Sequence, residues 1–330
     1  MINVALLSRW HVHADDYARE VRTHPELRIT MVWDEQRERG EKWAKELEVP
    51  FEADLDTLLA SETVDAVIVD TPTVLHKEVI AKAARAGKHI FSEKVLALTE
   101  ADCEELLSIV KEHHVSLMLS LPRLNDPSYL YAQKALENGW LGELTSIRCR
   151  LAHGGAVPTN SHPAGWLPAH FFDREACGGG ALIDLGAHPI YVTNRLAGAA
   201  ESVMAELTSH RSGDVDDNSA VLVRYQSGAL GVLEAGFVSS GSPFLLELHG
   251  TKGSVLVEER EVRVKSTELQ DGSWHTPVLP AQAPSAMKQW MAHIESGAEP
   301  AITQEDMLQL TKINEAAAVS AKEGRRVRLS

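Results

Sequence analysis

The sequence contains no apolar run approaching the roughly 20 residues that a membrane-spanning helix needs. Cysteine is scarce. Cys103, Cys149 and Cys177 are odd in number and far apart, with no CxxC pair. That pattern argues against a disulfide framework and a zinc ribbon, and for reduced thiols in a cytoplasmic protein. Basic charge is in deficit, with 32 Lys and Arg against 47 Asp and Glu and a formal net charge of -15. Nucleic-acid binders show the opposite surplus, so no polyanionic partner is expected and the acidity serves solubility. The chain starts directly on a strand-like segment, so no signal peptide is expected. Internal repeats and low-complexity tracts are also missing. What is there is ordinary for a folded soluble protein: 330 residues, 44% hydrophobic and 24% charged, enough for two domains.

The first part alternates strand and helix. Short apolar runs at Ile2–Leu7, Arg28–Trp33, Val64–Val69, His89–Ser92 and Ser116–Ser120 read as buried strands. Between them, Ala14–Thr23, Glu35–Glu48, Leu75–Ala86 and Glu100–His113 have helical character, and Gly87 is a good C-cap. This order predicts a doubly wound parallel sheet, with ligands at the carboxyl ends of its strands. The second part reads differently. Helix Tyr129–Asn138 and strand Thr145–Ala152 precede a long irregular stretch, 154–177. Strand patterns then follow one another at Val203–Ser209, Ser219–Tyr225, Ala229–Phe237, Phe244–His249, Gly253–Val257 and Glu261–Lys265, before a final helix Gln304–Lys322. The expectation is a domain over 1–121 and an α+β domain over 122–330. The second would hold an open, mostly antiparallel sheet with helices on one face. An open sheet face needs cover, which predicts a homodimer or homotetramer.

The segment from Gly178 to His188 carries the most chemistry. If it is helical, Asp184 and His188 lie one turn apart on one face. A carboxylate beside an imidazole can hold its tautomer and raise its basicity, as acid/base catalysis requires. The three glycines Gly178–Gly180 admit close approach of a ligand or another segment. Gly186 implies that a missing side chain matters there. The plain alternative is a glycine-rich loop before a core helix, carrying a solvated Asp–His pair.

Three ordered features then identify a resemblance. Ala86-Gly87-Lys88-His89-Ile90-Phe91-Ser92-Glu93-Lys94 is similar to the AGKHV-x-x-EKP segment of the Gfo/Idh/MocA oxidoreductases, and Gly178–His188 to their GGGALxDxGxH segment. Asp217-Asn218, Gly228-Ala229-Leu230 and Gly250-Thr251-Lys252-Gly253 are similar to their sheet-domain pattern. The resemblance implies a Rossmann domain binding NAD, with NADP as second choice, and a second domain binding a sugar, cyclitol or glycoside. The implied reaction is hydride transfer at a secondary alcohol. In that reading Lys94 polarises the hydroxyl, His188 is the general base and Asp184 orients it or binds a neighbouring hydroxyl. Thr71, Pro72, His76 and Glu93 sit on the nicotinamide side. Arg123, His153, His162, Trp166, His170 and Phe171 line the substrate pocket.

Two departures stand out. The first loop, Leu7-Ser8-Arg9-Trp10-His11-Val12-His13-Ala14, has no glycine where the family has a GxGxxG-like turn for the pyrophosphate. Ser8, Arg9 and Trp10 are the cofactor-facing candidates there, with Arg9 placed to meet a phosphate. Val95 stands where the family has proline. Asp34, ending the second strand, is the candidate ligand of the adenosine ribose and favours NAD, although Arg37 and Arg39 weaken the exclusion of a 2'-phosphate. An ordinary helix N-cap is its plain alternative.

Other readings remain. The same residues would support NAD-dependent glycoside cleavage through transient oxidation. His11-Val12-His13 resembles the HxH metal pair of amidohydrolase-like barrels, which would make the protein a metal-dependent hydrolase. Barrels need βα units throughout, however, and the leading reading assigns no metal. A non-catalytic sensor on a dehydrogenase fold is the third class.

Overall fold

The computed structural model describes residues 1–211, 213–269 and 272–329. It divides into two compact units, Met1–Ser120 with Pro284–Met307, and Leu121–Ala283 with the chain from Leu308 onward.

The first unit is built on five parallel strands: β1 (Ile2–Leu7), β2 (Leu27–Trp33), β3 (Ala66–Val69), β4 (His89–Ser92) and β5 (Leu117–Leu119), in the order β2-β1-β3-β4-β5. All four residues of β3 are buried, as expected for a central strand of a parallel sheet. Helices α1 (Ala14–Thr23), α2 (Arg37–Leu47), α3 (Leu55–Ala60), α4 (His76–Arg85) and α5 (Glu100–Glu112) make the connections. Helix α3 does not show in the sequence pattern because six residues are too few to display a period. Asp54 starts it, its carboxylate accepting the Thr57 N–H at 2.7 Å. A contiguous division at residue 121 also leaves out the return of 284–307. Ser285 caps a helix there, and the fully buried Trp290 packs on Phe91 with ring centroids 5.7 Å apart.

The second unit is an eight-stranded sheet. Its strands are β6 (Leu144–Ala152), β7 (Ala200–Thr208), β8 (Asn218–Tyr225), β9 (Leu230–Gly236), β10 (Leu245–Gly250), β11 (Gly253–Glu258), β12 (Glu261–Ser266) and β13 (Val327–Arg328), in the order β12-β11-β10-β6-β9-β8-β7-β13. Every pairing is antiparallel except that of β6 with β9. Strand β8 alternates buried and exposed from Ser219 to Tyr225, so one face enters a core and the other does not. The core face is covered by helices, including α6 (Pro127–Glu137), which packs on β11. On the other face Met204, Leu222 and Leu230 are exposed.

Candidate active site

In the first unit the chemistry lies where β1 to β5 end. Ser8 follows β1 fully buried at φ +76°, the left-handed region that glycine adopts freely. The turn of a glycine loop thus persists without glycine. Its hydroxyl accepts the Trp10 N–H at 3.1 Å. Trp10 itself is buried.

Asp34, at the end of β2, is fully engaged. It accepts N–H bonds from Arg9 (2.9 Å) and Gln36 (2.7 Å), and Arg39 grips both its oxygens at 2.9 and 2.7 Å. A ribose hydroxyl would have to displace one of these donors. Arg9 likewise does not offer its guanidinium to a phosphate. That group pairs with Asp15 and Glu46, both at 2.8 Å, and lies over Trp43. Arg37 pairs with Glu41. Arg9 is decided by a partner distant along the chain, Glu46, whereas Arg37 and Arg39 pair with carboxylates four or five residues away.

His76 acts as a strap. Nδ1 lies 2.7 Å from the Val95 carbonyl and Nε2 3.2 Å from the Thr71 carbonyl, so the ring sits between the loops after β3 and β4 and, when neutral, donates to one of the two. Burial pushes its pKa from 6.5 to about 4, against the pull of the two carbonyls. The unfolded chain therefore binds a proton there that the folded chain refuses between pH 6.5 and 4. Stability is full above pH 6.5 and falls as pH drops toward 4, by about 3 kcal/mol. Urea unfolding across this window should show the slope in the native sequence and lose it in His76→Gln. An unchanged slope would contradict the assignment.

Beside the strap, Thr71 and Asp70 are buried, and neither Thr71 Oγ1 nor either Asp70 carboxylate oxygen has a hydrogen-bond partner among the described residues. Burial, with the nearby charges of Glu93 and Asp15, holds the Asp70 carboxyl well above the usual range. Such orphaned groups are rare, and at a sheet's ligand-binding edge they fit a bound polar group. Glu93 is opposite in character. Burial pushes its pKa up, but His11, Lys94, His13 and the Tyr17 hydroxyl together hold it down to about 2. Tyr17 Oη bonds Glu93 Oε1 and lies 2.7 Å from Ser120 Oγ. Lys94 is buried, with Nζ 3.9 Å from Glu93 Oε2, and the Lys94–Val95 peptide is cis.

In the second unit the glycine-rich segment is not one helix. Helix α7 (Ala181–Asp184) stops, Leu185 and Gly186 turn, and α8 (Ala187–Ala197) begins. Asp184 and His188 therefore sit on two helices and not on one continuous turn. A Cβ on Gly186 would lie 2.3 Å from the Leu182 carbonyl oxygen, so this break needs glycine. The segment is anchored by Asp216, whose carboxylate accepts the Gly180 and Leu182 N–H groups at 3.0 and 2.8 Å.

His188 is buried, and its Nδ1 lies 2.7 Å from Tyr191 Oη, which also accepts the Arg123 N–H at 3.1 Å. If Nδ1–H donates to Tyr191, Nε2 is left as a proton acceptor. Tyr191→Phe removes that orientation. It should lower turnover about tenfold, equal to ~1.4 kcal/mol, and move the acidic limb of the pH profile for oxidation, the limb that a general base sets. An unmoved profile would make Tyr191 merely structural.

Arg123 also pairs with Asp126 and covers Phe244, its guanidinium 4.4 Å from the ring. His153 stacks on Phe237 at 5.4 Å and meets Trp166 at 4.7 Å, leaving Trp166 half exposed. His162 is exposed beside Ser161, whereas Phe171 is buried against His170. Arg123 and His188 share Tyr191, His153 meets Trp166 and Phe237, and His170 meets Phe171. Burial pushes the thiols of Cys149 and Cys177 upward, which disfavours thiolate chemistry at either.

Comparison with known proteins agrees with this picture. Residues 11–121 match the model of an oxidoreductase family with an NAD-binding Rossmann fold, and residues 129–256 match a GFO/IDH/MocA C-terminal domain. A 2,7-anhydro-N-acetylneuraminate hydratase of Escherichia coli strain K12 is 30% identical over 79% of this chain and 68% of its own. An inositol 2-dehydrogenase of Rhizobium meliloti strain 1021 is 28% identical over 84% of each. A solved levoglucosan dehydrogenase, in complex with NADH and L-sorbose, superposes with a TM-score of 0.84 at 22% identity, covering 100% of this chain and 99% of that one.

Proposed function

The chain belongs to the GFO/IDH/MocA oxidoreductase family, and from that premise we propose that it transfers a hydride between NAD and a secondary alcohol of a sugar, cyclitol or glycoside. The observation that carries the reading is the run of polar groups ending β3 and β4: Asp70 and Thr71 buried without partners, then Glu93 and Lys94 buried side by side. Thr71, Pro72, Glu93 and Lys94 would hold the nicotinamide side of the cofactor, with Ser8 and Trp10 toward the diphosphate. When bound, the nicotinamide supplies the acceptor or donor of the hydride. Lys94 hydrogen-bonds the reacting hydroxyl and polarises it. His188 takes its proton at Nε2, and Asp184 orients the imidazole or binds a neighbouring hydroxyl. Arg39, closed on Asp34 and Glu35, has its charge already neutralised, so a 2'-phosphate gains little from it and NAD is favoured over NADP.

A second reading shares these residues. One relative is named a hydratase, and transient oxidation followed by elimination or addition of water gives no net redox change. Product analysis with glycosides and anhydrosugars separates the two: net NADH formation supports dehydrogenation, and bond cleavage with unchanged NAD supports the alternative. We also propose that the exposed Met204, Leu222 and Leu230 are covered by a second copy of the chain. Sedimentation as a 36.1 kDa monomer at micromolar concentration would count against this.

A further inference from the structure

The loop after β1 and Glu93, which the proposed function also places at the cofactor, bring together a cluster of ligand-capable groups. One ligand-capable atom from each of His11, His13 and Glu93 lies within 4.8 Å of the other two. His11 Nδ1 is 3.9 Å from Glu93 Oε1, and the two imidazole rings are 5.1 Å apart between centroids. We propose that His11, His13 and Glu93 form a binding site for a divalent first-row transition metal, with zinc preferred among the commonly available ions.

The donor chemistry selects this class. Two imidazoles and one carboxylate make an N2O set, which suits zinc, iron or manganese and not the oxygen-only preference of calcium or magnesium. Three protein ligands leave a coordination position open, as in sites that meet an exchangeable oxygen ligand. Distances allow it. Ligands at about 2.0–2.1 Å from zinc require the three atoms to draw in by roughly 1 Å. His13 can supply that movement, because its side chain is 49% exposed while those of His11 and Glu93 are 6% and 3%.

The surroundings also fit. Tyr17 bonds the Glu93 carboxylate and fixes its direction. Asp16 Oδ2, 3.3 Å from His13 Nδ1, is a carboxylate of the kind that orients metal-binding imidazoles. A neighbouring carboxylate also bears on the site. Asp70 is completely buried, both its oxygens are without partners, and its carbonyl accepts the His11 N–H at 3.3 Å. A divalent ion beside Glu93 would compensate the buried acidity that these two carboxylates bring together.

The test uses the full-length protein and the metal alone, so it is independent of any hydride-transfer activity. Protein stripped with a chelator and dialysed is titrated with Zn2+ against a chromophoric chelator, and bound metal is counted by mass spectrometry. One equivalent per chain is expected. The exposed His13 can be truncated without disturbing the core, so His13→Ala should remain folded and bind at least about a hundredfold more weakly, the upper end of what losing a second-shell partner costs. His11→Ala and Glu93→Gln should do the same, and Co2+ should give visible bands in the native protein that all three variants lose. His113→Ala, an exposed histidine elsewhere, should change nothing. No uptake by the folded native protein would overturn the proposal, as would uptake by His13→Ala and His11→Ala equal to that of the native protein.

Discussion

Lys94→Ala and His188→Ala are each expected to cut turnover about a hundred- to ten-thousand-fold, the usual cost of losing a general acid or base. Both side chains are buried, so loss of packing must be separated from loss of chemistry. Lys94→Met keeps the aliphatic stem and removes the ammonium. It should fall as far in turnover as the alanine variant while unfolding near the native temperature. The double variant should be far from additive, since groups acting on one hydroxyl work as a unit. NADH affinity should change little in His188→Ala. Asp184→Asn should cost less than either if Asp184 only orients the imidazole, and more if it binds substrate. Full activity in Lys94→Met or His188→Ala would end this mechanism.

The largest effect on stability is expected at Gly180. An alanine Cβ there would lie 1.9 Å from the Asp216 carbonyl oxygen, 2.8 Å from its carbon and 2.9 Å from its nitrogen. All three are backbone atoms, so no rotamer change relieves the clash. The same contact carries hydrogen bonds, with Ala181 N–H donating to the Asp216 carbonyl at 2.8 Å and the Asp216 carboxylate holding Gly180 and Leu182. Gly180→Ala should cost about 3 kcal/mol or more, lowering the melting temperature by about 10 °C. Gly179→Ala is the control, because its Cβ would meet only the Ile183 side chain, at 3.2 Å and beyond. Scanning calorimetry should rank Gly180→Ala well below Gly179→Ala. Equal melting temperatures would show that the close approach is not needed.

The parallel sheet was legible because its strands are apolar runs bounded by turn residues, and β3 is buried at every position. The second sheet was legible from alternation and from turns such as Gln226-Ser227-Gly228. The helix Ala286–Ser296 was missed although Ser285 is a start signal, because its burial depends on Trp290 reaching Phe91. Asp184 and His188 were found by spacing, but the break at Leu185–Gly186 was not. A helical period gives no warning when the chain turns between two short helices. The loop after β1 shows no glycine in the sequence, yet Ser8 takes the left-handed conformation itself. Arg9, Asp34 and Arg39 could not be assigned from sequence, because each is decided by partners distant along the chain or by competition among nearby charges. Tyr17, Asp70, Tyr191 and Asp216 left almost no local signal. Asp70 and Asp216 stood beside recognised residues, at Thr71-Pro72 and Asp217-Asn218.

The most direct test of the central claim is a hydride-transfer assay. Purified protein is incubated with NAD and a panel of cyclitols, aldoses, anhydrosugars and glycosides, and NADH is followed by absorbance alongside titration of the protein with NADH. The account predicts saturable NADH binding and NADH formation with at least one secondary alcohol of the panel, both weaker with the NADP couple. Absence of NADH binding, or tight NADPH binding with none for NADH and no turnover of any alcohol or glycoside, would contradict it.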